Sequence, residues 1–366
     1  MPITVAALRE TAAGERRVAI TPEVARKLRG KGLRVLLERG AGASAGFPDN
    51  SYADTEFADA DGVLAQADLF TCVLPPDDAV WGRLREGATV VGQLRPYGAA
   101  ARIVAMGKRR LTAFALELLP RTTRAQAMDV LSSQAAVAGY RAMLIAAEAA
   151  PKFFPMLTTA AGTIRPSRVL VIGAGVAGLQ AVATARRLGA QTEGYDVRPE
   201  TREQVESLGA KFLDLGVSAA GSGGYARELS AEERAAQQQA LAEHLKSVDV
   251  IVTTAAVPGR SSPTILTAAM VDGMRPGALI VDLAAEGGGN CELTRPGQRV
   301  EHGGVTILGP LNLPAGAPLH ASEMYARNVF NFIGLLVQGE ALAPDFDDEL
   351  VAKTCVTRQG EPHFQG

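Results

Sequence analysis

A glycine-rich pattern near the middle of the chain carries the clearest chemical signal. Gly173, Gly175 and Gly178 follow the apolar run VLVI, and the helix-forming stretch VAGLQAVATARRLG begins inside the pattern. In a strand–turn–helix unit the first glycine permits a tight turn, the second lets the backbone approach a pyrophosphate, and the third lets helix and strand pack closely. Val176 and Ala177 open the helix, whose N-terminal N–H groups attract a diphosphate. The pattern predicts a dinucleotide-binding site.

An acidic residue stands where such a site would hold the ribose. Asp196 ends the next apolar run, TEGYD, about 20 residues after Gly178, the usual place for a carboxylate that binds the ribose hydroxyls. This carboxylate would repel a 2′-phosphate, so NAD is favoured over NADP. Val197 and Arg198 complete the predicted cofactor site, although an arginine here could also serve a 2′-phosphate. The alternative is a glycine-rich turn that binds no ligand.

Strand-like and helix-like segments alternate along the chain in two series. The apolar runs lie at 4–8, 34–38, 67–74, 88–94 and 111–119, and then at 168–173, 192–196, 248–257, 278–284 and 305–310. Such runs, alternating with helices, predict buried parallel strands. We expect an α/β fold with two Rossmann-like domains and mostly parallel sheets. Residues 1–134 plus 321–366 would form the first, discontinuous domain, and residues 135–320 the NAD(H)-binding domain.

Long helices are expected to join the two domains. Residues 125–150 are rich in alanine and hold few helix breakers, and residues 322–339 are apolar at helical spacing. Residues 213–230 are instead rich in glycine, serine and alanine. They are too many for an ordinary connection, and such segments are usually functional lids or disordered.

Composition and charge exclude several classes of protein. A net charge of -2 and a pI near 6.2 argue against a nucleic-acid binder. The three cysteines form neither a CxxC pattern nor a zinc spacing, and the four histidines are scattered, so we expect a reducing compartment and no metal site. The beginning of the chain lacks the apolar core of a signal peptide, and the longest uncharged apolar run, 169–185, contains the three glycines. We expect a cytoplasmic chain without a membrane span.

Several segments resemble one protein family. They are ERRVAITPE (15–23), ELLPRTTRAQAMDVLSSQAAVAGYRA (117–142), TTAAGT (158–163), VLVIGAGVAGLQA (169–181), DVRPETREQVESLGAKF (196–212), GGYARE (223–228), VDLAAEGGGNCELT (281–294) and TCVTR (354–358). Over nearly its whole length the chain resembles the NAD(H)-binding component of proton-translocating nicotinamide nucleotide transhydrogenase, and more distantly alanine dehydrogenase. The segment RTTRAQAMD is the most specific, because it separates the transhydrogenase component from its dehydrogenase relatives.

The resemblance implies an assembly of several subunits. The NAD(H) component would be a homodimer that passes a hydride directly to NADP⁺ on an NADP(H)-binding subunit, while a membrane-spanning subunit couples this transfer to proton movement. Because no membrane helices follow, the chain looks like the split form, in which the NAD(H) component is its own polypeptide. It would then be peripheral on the cytoplasmic face of the inner membrane.

The resemblance also implies roles for particular residues. Arg121, Gln126, Asp129 and Ser132 would surround the nicotinamide and its ribose and serve the hydride transfer. Tyr225 would close over the nucleotide as part of a mobile lid. Without the resemblance, the same RTTRAQAMD segment indicates a polar loop followed by a helix start, where the helix dipole favours an aspartate.

Three other polar residues have two interpretations each. Asp282 ends a predicted strand beside EGGG, so it either lies near the cofactor or forms a turn. Arg16 and Arg17 match the substrate-facing arginine of the dehydrogenase relatives, or serve the structure alone.

A missing pair of residues separates the possible functions. An alanine dehydrogenase needs a lysine and a histidine near its substrate, but the chain has no lysine between Lys31 and Lys108 and no histidine before His244. Direct hydride transfer between two nicotinamides needs positioning, with the reacting atoms about 3–3.5 Å apart, rather than an acid or base. The alternatives are a free-standing NAD-dependent amino-acid dehydrogenase and an NAD-binding module without chemistry.

Overall fold

The protein, in a computed structural model that describes residues 2–216, 230–256 and 259–364, contains two compact units. Unit 1 comprises Met1–Gln134 and Pro314–Gly366, and unit 2 comprises Ala135–Leu313. Residues 314–320 group with unit 1 by their contacts, whereas the predicted boundary lay after residue 320.

Unit 1 begins with strands and helices in alternation. Its elements are β1 (Thr4–Ala7), α1 (Pro22–Gly30), β2 (Arg34–Glu38), β3 (Glu56–Ala58), α2 (Ala60–Gln66), β4 (Leu69–Cys72), α3 (Asp78–Trp81), β5 (Thr89–Gly92), α4 (Ala100–Lys108) and β6 (Thr112–Ala115). A 3₁₀ helix, Thr123–Met128, precedes the long helix α5 (Val130–Ala149). Helix α5 begins in unit 1 and continues into unit 2.

Unit 2 begins with a short hairpin and then repeats the alternation. Its elements are β7 (Leu157–Thr159), β8 (Gly162–Ile164), β9 (Arg168–Ile172), α6 (Val176–Arg187), β10 (Gln191–Tyr195), α7 (Thr201–Ser207), β11 (Lys211–Phe212), α8 (Ala231–Leu245), β12 (Val250–Thr253), α9 (Ala268–Asp272), β13 (Leu279–Asp282), β14 (Arg299–His302) and β15 (Val305–Leu308).

The chain then returns to unit 1 through a second long helix. The last elements are α10 (Pro318–Leu336), β16 (Val337–Gln338), β17 (Ala341–Leu342), α11 (Glu349–Thr354), β18 (Cys355–Arg358) and β19 (Glu361–Pro362). Strand β18 pairs with β6, so the end of the chain completes the sheet that the beginning formed.

The two sheets share one arrangement. Their strand orders are β19-β18-β6-β5-β4-β1-β2-β3 and β11-β10-β9-β12-β13-β15-β14, and all neighbours are parallel except those of β18, β19 and β14. In each sheet the first parallel strand, β1 or β9, lies between strands reached in opposite directions. Open α/β sheets bind ligands at this crossover point, outside the carboxyl ends of the strands.

The α/β fold with two mostly parallel sheets is confirmed. Each predicted apolar run contains a strand, and Thr21 caps α1, where Pro22 takes the first helical position. The helix predicted over 125–150 starts later, at Val130, because the preceding residues form the 3₁₀ helix. The helix predicted over 322–339 starts earlier, at Pro318. Short or polar elements, including β3, α2, α7 and α8, were not predicted.

A single buried hydroxyl links α10 to two strands of unit 1. Tyr325 is fully buried; its hydroxyl donates to the carbonyl of Cys72 at 2.7 Å and accepts the Gln93 N–H at 3.1 Å. Cys72 ends β4 and Gln93 follows β5, so both strand ends depend on the same side chain. A buried polar group that loses its partner costs about 1–3 kcal/mol.

We therefore expect Tyr325→Phe to lower the free energy of unfolding of unit 1 by about 1–3 kcal/mol, because two backbone groups lose a buried partner. Urea unfolding followed by the fluorescence of Trp81, the only tryptophan and a buried residue of unit 1, measures this change. Tyr97→Phe is the matched control, since Tyr97 is 47% exposed. Equal stability of the two variants would contradict the expectation.

Candidate functional site

The glycine-rich turn of unit 2 uses each of its glycines differently. Gly173 has a φ of +100°, which side chains rarely adopt. A Cβ on Gly178 would lie 1.7 Å from the carbonyl oxygen of Gly173, so helix α6 touches the turn backbone to backbone. Gly175 is exposed, has an extended backbone with φ −80°, and would place a Cβ near no described atom within 4 Å.

The contrast between Gly175 and Gly178 bears on ligand binding. The fold itself requires glycine at 173 and 178 but leaves open space at 175. Helix α6 starts at Val176, and Gly175 supplies no side-chain cap, so the first N–H groups keep their capacity to bind an anion. The turn therefore fits a pyrophosphate group, which would fill the space beside Gly175.

Residues distant in sequence hold the turn in place. The Thr254 hydroxyl donates to the carbonyl of Gly173 at 3.0 Å, and the Asp196 carboxylate accepts the Ala174 N–H at 2.8 Å. Within helix α5, a Cβ on Gly139 would lie 2.0 Å from the Ala177 carbonyl oxygen. Thr254 and Gly139 were not predicted from the sequence, because only the fold brings them to the turn.

Asp196 stands at the carboxyl end of β10 and is bound by Arg198. The guanidinium donates to Oδ1 at 2.9 Å and to Oδ2 at 2.8 Å, and the Arg198 N–H donates to Oδ1 at 2.9 Å. Burial by itself would raise the pKa of Asp196, but the hydrogen bonds from Arg198 and from Ala174 outweigh it and lower that pKa. The carboxylate is therefore an anion at neutral pH.

A cleft of about 280 Å³ opens beside Asp196. Its lining consists of Asp196, Val197, Pro199, Arg202, Phe212, Asp214 and Gly216. Within it, the Arg202 guanidinium lies 4.6 Å from the centroid of the Phe212 ring and pairs with Asp214. The cleft thus offers an aromatic face and a planar cation next to a carboxylate, which suits an adenosine group. Of the predicted cofactor residues, the described structure brings Asp196, Val197 and Arg198 to one edge of the sheet with the turn.

Asp282 is fully buried and organises a loop. Its carboxylate accepts from the hydroxyls of Thr253 and Thr294 and from three backbone N–H groups, those of Ala284, Asn290 and Cys291. These donors follow β12 and β13 at the carboxyl edge of the sheet. The structure thus provides the turn-forming interactions; contact with the cofactor remains a prediction.

Asn290, which the sequence pattern did not indicate, joins the loops after β12 and β13. Its side-chain amide donates to the carbonyls of Ala255 and Pro263 at 2.7 and 2.8 Å, and its Oδ1 accepts the Ala255 N–H at 2.9 Å. Asn290 is fully buried. An asparagine directly after a glycine run at a strand end was the available signal, but nothing local indicated its partners.

The predicted hydride-transfer residues lie in unit 1. Arg121 and Gln126 are exposed, and Asp129 and Ser132 are partly buried. Asp129 precedes α5 and accepts the backbone N–H of Ser132 at 2.8 Å and its hydroxyl at 2.5 Å. The structure thus contains the helix start that was the alternative interpretation. Tyr225 lies outside the described residues, as does most of the predicted lid segment 213–230.

The 3₁₀ segment that carries Gln126 is held from α10 and from the end of the chain. Asn328 and Asn331 both donate side-chain hydrogen bonds to the carbonyl of Ala127, each at 2.9 Å. Arg124 forms an ion pair with Asp348, which caps α11. None of these anchors was predicted, because they come from more than 200 residues away.

Acidic side chains fill the carboxyl edge of the sheet in unit 1. Glu10 follows β1 and accepts the N–H groups of Val73 and Leu74 at 2.6 and 3.2 Å; Glu117 accepts those of Leu94 and Arg95. Removal from water raises the pKa of Glu10 to about 7, against the opposing effect of its hydrogen bonds, and raises the pKa of Glu117 as well.

The two arginines near the beginning of the chain differ in environment. Arg17 is buried, and its guanidinium donates to both oxygens of Glu15 and to the side chain of Gln134. Arg16 is exposed. These contacts give Arg17 a structural role in unit 1.

Two searches of the described residues concern metals and membranes. Across 2–216, 230–256 and 259–364, no three or more His, Cys, Asp and Glu side chains group as metal ligands would. One helix in those ranges, Val130–Ala149, is long and apolar enough to cross a membrane by length and composition alone. A core helix can meet the same criteria.

Known proteins share this architecture along the whole chain. Residues 6–138 and 142–365 match the family models described as Alanine dehydrogenase/PNT, N-terminal domain and C-terminal domain. An NAD(P) transhydrogenase subunit alpha of Rhodospirillum rubrum is 44% identical, over 96% of this chain and 95% of its own. The crystal structure of transhydrogenase from Sinorhizobium meliloti has a TM-score of 0.90 and 43% identity, covering 98% of this chain and 99% of its own. An alanine dehydrogenase of Mycolicibacterium smegmatis is 26% identical over 95% of this chain and 91% of its own.

The glycine-rich turn on a doubly wound sheet, with these relatives, defines an NAD(H)-binding protein of the Rossmann type. The chain belongs to the alanine dehydrogenase/PNT family and, within it, to the alpha subunits of NAD(P) transhydrogenase. The sequence-based recognition of the family and of NAD(H) is confirmed.

Exposed Gly175 and buried Gly178 predict opposite phenotypes when each is replaced by alanine. Gly175→Ala should leave the melting temperature unchanged, because space is available, but weaken NADH binding at least about tenfold by filling the place of the pyrophosphate. Gly178→Ala should lower the melting temperature, because the new methyl group meets a backbone carbonyl. Thermal melts and NADH titration by calorimetry measure both effects. NADH affinity in Gly175→Ala equal to that of the parent protein would show that the pyrophosphate binds elsewhere.

Proposed function

We propose that this chain passes a hydride directly between NAD(H) bound in unit 2 and NADP(H) held by a partner subunit. A membrane-spanning subunit of the same assembly would couple the transfer to proton translocation. The observation that carries the proposal is the 44% identity, over 96% of the chain, with a transhydrogenase subunit. The turn at Gly173–Gly178 would hold the pyrophosphate, and Asp196 the adenosine ribose.

Positioning is what the chain's own residues would contribute. Arg121 and Gln126 are exposed, so they are accessible to a nucleotide and to a partner surface. Asp129 and Ser132 are fixed to each other at the start of α5, so their oxygens have defined positions. Hydride transfer between two nicotinamides requires such fixed side chains, and misplacement by about 1 Å costs on the order of a hundredfold in rate.

The carboxyl edge of unit 1 counts against an amino-acid dehydrogenase. Such an enzyme binds a carboxylate substrate beside cationic side chains, whereas here Glu10 and Glu117 fill the edge and Glu15 engages Arg17. A 2-oxo acid would meet acidic groups instead of a lysine and a histidine. These contacts favour the transhydrogenase proposal over the free-standing dehydrogenase.

Gln126→Ala and Asp129→Asn test the hydride-transfer assignment. We expect each to lower kcat by about tenfold to a hundredfold, with the Kd for NADH changed less than about threefold, because the pyrophosphate turn remains intact. The asparagine retains the capping capacity at the start of α5. The assay mixes each variant with an NADP(H)-binding transhydrogenase subunit and follows reduction of an NAD analogue by NADH in the presence of NADP(H).

Gln191→Ala is the matched control, since Gln191 is an exposed glutamine at the opposite end of β10. Turnover of both test variants at the rate of the parent protein would contradict the assignment. NADH binding without any turnover in the parent protein would instead favour a non-catalytic NAD-binding module.

We also propose that the chain forms a homodimer through the hairpin of β7 and β8. All six strand residues are exposed, and the apolar side chains of Phe153, Met156, Leu157 and Ile164 are 55, 64, 40 and 46% exposed. A two-stranded hairpin is marginally stable by itself, and a cluster of exposed apolar side chains marks an interface. A second copy of the chain would cover both.

Met156→Asp should convert this dimer to a monomer, because a carboxylate would be buried in an apolar contact. Sedimentation velocity across a range of protein concentrations measures the oligomeric state. Val104→Asp, which changes an apolar side chain 52% exposed on α4, should leave the dimer intact. A dimer that survives Met156→Asp would place the interface elsewhere.

A cytoplasmic location at the inner membrane is also proposed. It is supported by the three cysteines, which are all buried free thiols, as expected in a reducing compartment.

A further inference from the structure

We propose that Arg198 is a specificity-determining residue that occupies the ribose site in the absence of nucleotide and is displaced from Asp196 when NAD(H) binds. The proposal rests on the proposed placement of Asp196 at the adenosine ribose. It assigns to Arg198 a competition with the ribose hydroxyls rather than a role in holding NADP(H).

The hydrogen bonds of Asp196 leave no acceptor position for a ribose. A carboxylate has about four acceptor positions. Oδ1 accepts the backbone N–H and the Nε–H of Arg198, and Oδ2 accepts the Ala174 N–H and the Nη2–H of Arg198. The side chains are 19 and 7% exposed for Arg198 and Asp196, so solvent weakens the pair only partly.

Only the guanidinium can leave without disturbing the site. The Ala174 N–H belongs to the glycine-rich turn, and the Arg198 N–H belongs to the backbone directly after β10. The two guanidinium hydrogen bonds, in contrast, depend on a flexible side chain. A guanidinium and a ribose diol each present two adjacent donors, so the diol can replace the guanidinium bond for bond.

This exchange has opposite consequences for the two nucleotides. Removing the guanidinium leaves two positions on Asp196 ready for a diol, so NAD(H) no longer has to break an intramolecular ion pair. A 2′-phosphate cannot donate to the carboxylate, and without the cation it meets an uncompensated negative charge. Loss of Arg198 should therefore strengthen NADH binding and weaken NADPH binding.

Titration of NADH and NADPH against Arg198→Leu tests the proposal. We expect the Kd for NADH to fall about three- to tenfold, the range for releasing one partly exposed charged hydrogen-bonded pair, and the Kd for NADPH to rise. Arg198→Lys retains the charge but not the fork, so it should also bind NADH more tightly. Circular dichroism melts confirm that each variant is folded.

Arg202→Leu is the matched control, because it removes the same charge from the same cleft while leaving both guanidinium bonds to Asp196. It should give no gain in NADH affinity. If Arg198→Leu binds NADH no more tightly than Arg202→Leu does, the proposal is overturned.

Asp196→Asn separates this proposal from the placement on which it rests. If Asp196→Asn binds NADH as the parent protein does, Asp196 does not hold the ribose, and the placement and the competition both fail. If Asp196→Asn weakens NADH binding while Arg198→Leu gives no gain, the placement stands and the competition alone is wrong.

Discussion

The contact between the backbone of Gly178 and the carbonyl of Gly173 is the constraint on which the nucleotide-binding unit depends. It presses the first turn of α6 onto the end of β9, with no space for a methyl group between them. Thr254 from the end of β12 and Asp196 from the end of β10 then fix the two flanks of the turn. The ends of three adjacent strands therefore determine where the N-terminus of α6 points, and with it the direction from which an anion can approach.

How much the sequence could predict follows from how local each interaction is. The strand, the turn and α6 are contiguous, and Asp196 follows at a regular spacing, so these features could be predicted directly. Thr254 and Asn290 act on segments 81 and 35 positions away, and no feature of their own neighbourhood indicates the partner. Their roles arise from the order of strands in the sheet, which the sequence pattern suggests only as a class.

Unit 1 shows the same limit for the proposed hydride-transfer segment. The polar run RTTRAQAMD suggested a loop and a helix start, and Asp129 and Ser132 do form one. The segment's 3₁₀ conformation was not predicted, because its carbonyl at Ala127 is satisfied by Asn328 and Asn331 from a helix far along the chain. Antiparallel β18 was missed for a related reason: it joins the sheet only after the chain has returned from unit 2.

Glu10 shows what distinguishes two sheets of the same arrangement. In unit 1 its carboxylate lies across the crossover point between β1 and β4, where it accepts two consecutive backbone N–H groups. Adjacent N–H groups of this kind bind inorganic anions when no side chain reaches them. Unit 1 therefore contains a latent anion site whose ligand is tethered to the chain, so the sheet is closed to free phosphate compounds by covalent connection rather than by shape.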